Sequence, residues 1–328
     1  MAQAKLALLL VATASAFAAP VMAQAPTTVP GVVVQGETKK VIEQQARRFT
    51  EAYAAPTEKI GQIARWHEAV CVKVEGVIPA QADKIRARVE EVAKDVGLTV
   101  RKPGCLFNIQ IVFTPQPQGY VDQVAKRDEG YLGFHYRGEL NKVKAVTRPI
   151  QSWYVTATEG GLGHNAATIF AIMEGPSGPK YNPNPDGMPG QTRAAETLDV
   201  EDNATPTGCA DAPQFTSCLR SAFRNALVVV DSRAVEGKSL GAVSDYVAML
   251  ALSQPKSLDG CNALASVIDL FAKAPCPGRD APDGFTPTDA AFLTALYQID
   301  PEAKKNGEIG DISARLAGIL IGAQQPSR

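Results

Sequence analysis

This chain lacks most of the residue patterns that announce an enzyme. Its 328 residues hold three histidines, and no two are spaced to share one face of a helix. It has no CxxC pair and no GxxxxGK[ST] loop. It also lacks an excess of either charge. Lysine and arginine number 33 against 34 aspartates and glutamates, so nothing recruits nucleic acid or an anionic membrane surface. No apolar run beyond the amino terminus is long enough to span a bilayer, and the last one, "ARLAGILIG", falls far short.

What is present begins with an export signal. Residues 1–23 carry one charge, Lys5, then an apolar run from Leu6 to Phe17, and end with Val21 and Ala23 as the small residues of a cleavage site. Cleavage after Ala23 makes the protein periplasmic or secreted and moves the formal charge from -1 to -2. No stable membrane insertion is expected. The six cysteines, Cys71, Cys105, Cys209, Cys218, Cys261 and Cys276, all follow the signal, so an oxidising compartment predicts disulfides. Their order suggests three local bridges: Cys71–Cys105, Cys209–Cys218 and Cys261–Cys276. Without a CxxC spacing, a thiolate metal site is not expected.

Residues 24–38 form a Pro, Gly and Thr leader, and "KKVIEQQARRFTEAYAA" follows as a short helix with Val41, Ala46, Phe49 and Tyr53 inward, the two filling residues 24–55. "CVKVEGV" reads as a strand. "PAQADKIRARVEEVAKDVG" reads as a helix, with Pro79 near its start, Gly97 past its end, and Ala82, Ile85, Val89, Val92 and Val96 on one face. "LTV" and "FNIQIVFT" read as strands, the second with one buried face, and "PQGYVDQVAKRD" as a helix. "PIQSWYVTATE" is a strand with Trp153 and Tyr154 on opposite faces. Residues 174–208 are too rich in Pro, Gly and Asn for regular structure and read as a surface loop. Its Asp186, Asp199, Glu201 and Asp202 lack the alternation of a calcium loop. "ALVVVDS" is a strand buried on both faces. "KSLGAVSDYVAMLALSQP", "CNALASVIDLFAKA" and "TPTDAAFLTALYQ" read as helices, the last capped by Thr286 or Thr288. The alternation of strands and helices gives an α/β (α+β) fold, a mixed sheet with packed helices.

The closing helix has the form T-x-x-D-x-x-x-L-x-x-L-Y, at Thr286, Asp289, Leu293, Leu296 and Tyr297. With the buried strand and the helix around "SDYVAMLAL" before it, the carboxy-terminal third resembles the zincin metallopeptidases, and the block 71–114 does so more loosely. The resemblance implies a zincin-like domain over residues 56–323. Laid on the family's HExxHxxGxxH pattern, the first histidine falls on Ser244, the glutamate on Asp245, the second histidine on Ala248, the glycine on Ala251 and the third ligand on Gln254. Ser266, Val267 and Ile268 take the place of the turn beneath the metal. No strong zinc ligand remains, so the resemblance implies no catalytic residues, no metal and no cofactor.

On the helix itself, Leu240, Val243, Val247 and Leu250 form an apolar stripe, and Ser244, Ala248 and Ala251 form a second stripe of small residues beside it. The expectation is an exported, catalytically inactive zincin-like protein that binds an unidentified peptide or protein ligand, or acts as a scaffold, through the former substrate cleft. The alternative is a hydrolase with displaced residues, Asp245 with His135 or His164. His67, in "RWHEAVC", has Cys71 where a second ligand would stand. Gly161, Gly163 and Ala166 fit GxGxxA, but no acidic residue follows on a second strand, and a glycine turn is the better reading.

Overall fold

Among the described residues, four segments that carry β-branched side chains form strands. The computed structural model describes residues 39–58, 60–136, 138–160 and 219–324. Within it, β1 (Val72–Glu75), β2 (Ile109–Thr114), β3 (Ile150–Gly160) and β4 (Leu219–Asp231) form one sheet in the order β1-β2-β4-β3. β1, β2 and β4 run parallel, and β3 is antiparallel to β4. Seven α-helices accompany the sheet among the described residues: α1 (Lys39–Tyr53), α2 (Pro79–Asp95), α3 (Pro117–Arg127), α4 (Leu140–Val143), α5 (Leu240–Leu252), α6 (Pro287–Gln298) and α7 (Lys305–Gln324). The α/β class is as the sequence predicts. No helix among the described residues is long and apolar enough to cross a membrane.

The period-2 alternation of strands divides the core in two. Ile109, Ile111 and Phe113 of β2, Val228 and Val230 of β4 and Tyr154 of β3 face the larger cluster, which takes in α1, α2, α5, α6 and α7. Val112, Leu227, Val229 and Trp153 face a smaller one closed by Val121 and Val124 of α3 with Tyr131 and Leu132. Trp153 and Tyr154 therefore part to opposite faces, and β4 is buried on both, as predicted.

β2 departs from the expectation of one buried face, because it lies between β1 and β4 with packing on either side. Its polar positions are buried too and are satisfied locally. Asn108 Oδ1 accepts the Cys71 amide at 2.7 Å, and Gln110 Nε2 donates to Glu75 at 2.7 Å. "LTV" is not a strand: Val100 makes a single parallel bridge to Val70. In α1 the inward face is Ile42, Ala46, Phe49 and Tyr53, while Val41 is exposed.

The bridges Cys71–Cys105 and Cys261–Cys276 form as predicted, with Cα atoms 6.2 and 5.0 Å apart. The second corrects the helix expected at "CNALASVIDLFAKA". A helix between its cysteines would hold them about 22 Å apart, three times what a disulfide tolerates. The chain instead forms one 3-10 turn, Val267–Phe271, inside the closed loop. The leader, residues 161–218 with the acidic loop, His164 and the GxGxxA stretch, and the Cys209–Cys218 pair lie outside the described residues.

Candidate functional site

The helix that takes the metal-helix position in the resemblance is α5. Ser239 starts it, its Oγ accepting the Ala242 amide at 3.0 Å. Every residue from Ala242 to Leu252 is buried. A helix apolar on all sides belongs to a core, and α2, the sheet and the 267–271 turn pack around this one. The small stripe is sealed: Ser244, Ala248 and Ala251 are 2%, 0% and 1% exposed. The open cleft expected at these positions is therefore not found, because small side chains let neighbouring elements approach and cover them. Ser244 Oγ turns back to the Leu240 carbonyl at 2.6 Å. Gln254 lies beyond the helix end, and its carbonyl accepts the Ala55 amide at 3.0 Å.

Asp245 stands at the base position, and its oxygens are occupied. Oδ1 accepts Nε of Arg88, from α2, and Oδ2 accepts the Phe285 amide at 2.8 Å. Arg88 also reaches Glu91 at 2.7 Å and lies over the Phe285 ring at 5.7 Å. Residue 284 must be glycine for this to close, since a Cβ there would stand 2.6 Å from Asp245 Oδ2. The carboxylate thus pins α2 and the 284–285 turn to α5. Beside it, between α2 and α6, lies an open pocket of about 330 Å³ walled by Val92, Val96, Phe285, Pro287 and Ala290.

The last carbonyls of a helix have no partner within it. At the end of α5 they are met by buried aromatic donors from β3, α6 and the segment that precedes β1. The Tyr154 hydroxyl, from β3, lies 2.7 Å from Leu250 O and 2.9 Å from Ser253 O. Trp66 Nε1 donates to Ala251 O at 2.8 Å, and the Tyr297 hydroxyl, from α6, to Leu252 O at 2.7 Å. Burial pushes both tyrosine hydroxyls far above their ordinary range, so they remain protonated donors. The family's pattern puts a glycine and a third ligand at this helix end. Here a collar of hydrogen bonds holds it.

Beneath the helix, the two other motifs of the resemblance prove to be one structure. Asp289 is fully buried. Its Oδ1 accepts Ser266 Oγ at 2.5 Å, and its Oδ2 accepts the amides of Val267 and Thr286 at 2.8 and 2.9 Å. Thr286 caps α6 and closes a capping box with Asp289. Burial raises the carboxyl's pKa, while Ser266, Thr286 and Val267 pull it back. The T-x-x-D of α6 and the Ser266 turn are thus locked together.

The histidines assemble no site with Asp245 among the described residues. His67 is half-buried, and burial, with Arg220 and Arg65 nearby, lowers its pKa to about 4, so its ring is neutral. His135 Nδ1 lies 2.9 Å from the Gly133 carbonyl. Sequence reasoning missed Arg88, Trp66 and Tyr154, whose partners lie on distant elements. It also missed the buried pair of Arg65 with Glu308, in which Glu308 Oε2 accepts the Ile63 amide at 2.7 Å and Arg65 reaches the carbonyls ending α6. No family model, curated protein or solved structure matches the chain, so the reading of α5 rests on its own residues and their neighbours.

Proposed function

We propose that this protein is an exported, catalytically inactive zincin-like protein that acts by binding or scaffolding in the cell envelope. The observation that carries the reading is the state of α5. The helix in the metal-binding position presents no ligand, its candidate base is consumed by Arg88 and the Phe285 amide, and its carboxy-terminal carbonyls are occupied by Trp66, Tyr154 and Tyr297. An active site needs groups left available to substrate, and this helix has spent them on packing. Binding then uses a surface other than the face of Ser244, Ala248 and Ala251. The displaced hydrolase of Asp245 with His135 gains no support from the geometry of the described residues, and His164 lies outside them. Export is supported by the amino-terminal signal pattern and by two cysteine pairs that close as disulfides.

The test uses the disulfide-bonded protein purified from the envelope, with metal content measured alongside peptide hydrolysis before and after chelation. The expected result is no stoichiometric zinc and no chelator-sensitive hydrolysis. Near-stoichiometric zinc that leaves together with peptidase activity overturns the proposal. So does recovery of the chain from the cytoplasm with residues 1–23 intact.

A further inference from the structure

The loop that follows α5 is fastened at Cys261 and Cys276, and Asp269 sits inside it. One ligand atom from each of these three residues lies within 4.8 Å of the others, and they are the one such group among the described residues. Tetrahedral zinc holds sulfur and oxygen ligands about 3.3–3.8 Å apart, so the two sulfurs, about 2.0 Å apart in a disulfide, must part by about 1.7 Å once the bridge is reduced, while the carboxylate already stands within reach. We propose that when the Cys261–Cys276 bridge is reduced, the loop holds one soft divalent cation of the zinc type, bound by the two thiolates and the Asp269 carboxylate.

The chemistry balances. A dithiol reductant delivers two electrons and two protons, breaks the S–S bond to give two thiols, and leaves as its own disulfide. The cation then displaces the two thiol protons, so two positive charges replace two and the site's net charge does not change. The carboxylate is prepared for this. Among the described residues its Oδ1 accepts only the Cys261 amide, at 2.6 Å, which leaves a lone pair for a metal. Its Oδ2 is held by the Ser266 amide at 3.2 Å and the Arg279 guanidinium at 2.9 Å, which fix its orientation as outer partners of a metal ligand do. The Ala274 carbonyl, 3.7 Å from Cys261 Sγ, or solvent is at hand for a fourth position. Two thiolates select zinc over calcium or magnesium. Cation and disulfide are then alternative fastenings of one loop, and the ion secures it until the bridge forms. The site is separate from α5, and because it exists only after reduction, its test stands apart from the assay of the oxidised protein above.

The full-length protein is reduced with a phosphine, which leaves as its oxide, and is desalted under nitrogen and titrated with Co²⁺ and then Zn²⁺. One equivalent of Co²⁺ is expected to give thiolate-to-cobalt charge-transfer absorption with tetrahedral d–d bands, and Zn²⁺ to displace it. The bands are expected to vanish in Cys261→Ser and in Cys276→Ser, and binding to weaken about tenfold or more in Asp269→Asn. They are expected to survive in the Cys71→Ser/Cys105→Ser and Cys209→Ser/Cys218→Ser variants. The reduced protein's unfolding temperature should rise with Zn²⁺ and the oxidised protein's should not. A reduced, folded protein without charge-transfer absorption overturns the proposal, as does absorption that follows either of the other cysteine pairs or persists in Cys261→Ser.

Discussion

Replacing Asp245 with alanine separates a structural carboxylate from a catalytic one. The substitution removes a charge-assisted hydrogen bond from Arg88 and leaves the Phe285 amide without its acceptor. A hydrogen bond to a charged group contributes about 1.5–3 kcal/mol, and an orphaned buried amide costs about 1–3 kcal/mol. Arg88 is about one-third exposed and keeps Glu91, so part of the first loss returns through solvent. A destabilisation of about 2–4 kcal/mol remains. Asparagine is no rescue, because its amide NH₂ must face either the guanidinium or the Phe285 amide, donor against donor. Urea unfolding at constant m-value reads the loss, and a double-mutant cycle with Arg88→Met isolates the pair, with a coupling of about 1 kcal/mol or more. If Asp245→Ala unfolds within about 0.5 kcal/mol of wild type, the carboxylate is not the pin described above. A hydrolytic activity lost in that same stable variant would make it a base.

Gly284→Ala should destabilise the protein, because its Cβ would meet Asp245 Oδ2 at 2.6 Å; the cost should shrink in an Asp245→Ala background, and an unchanged cost would exclude that contact as its cause. Tyr154→Phe and Tyr297→Phe should each cost about 1–2 kcal/mol in urea unfolding with little change in fold, since each deletes one donor and leaves buried carbonyls. Glu308→Leu should cost about 3–5 kcal/mol by leaving the Arg65 guanidinium and the Ile63 amide buried without an acceptor, while Arg65→Met/Glu308→Leu should recover most of it; a double variant as unstable as the single would refute this. Stability should respond to pH through two groups with opposite signs. His67, lowered from 6.5 to about 4, gives stability that is present above pH 6.5 and lost as pH falls through 4, whereas Glu308, raised from 4.5 to about 7 by burial, gives stability that is full below pH 4.5 and lost as pH rises through 7. The difference between His67→Gln and wild type should therefore move in the variant's favour as pH falls from 6.5 to 4, by up to about 3 kcal/mol, and a difference independent of pH would refute the assignment.

Features written within a few residues were legible in the sequence, and those that depend on distant partners were not. Pro79, Gly97 and the Thr286–Asp289 box mark helix ends because capping is settled three or four residues away. The two closed disulfides could be read because their partners are neighbours in cysteine order. That same bridge could have excluded the helix at 261–274, since helical rise and disulfide reach are incompatible over fifteen residues. α7 was hidden by Gly307, Gly310, Gly318 and Gly322, each costing a helix about 1 kcal/mol, which packing against α1 and α6 overcomes. The small stripe of α5 was the hardest case. An emptied cleft and a tightly packed helix both require Ser244, Ala248 and Ala251 to be small, so the residues themselves cannot choose between them. What chooses is the element that comes to lie on the helix. One of the elements packed on it is α2, whose Arg88 stands 157 residues before Asp245 in the chain. The small residues can be read from one helix, but whether their face is open or covered is decided by the elements that pack on it.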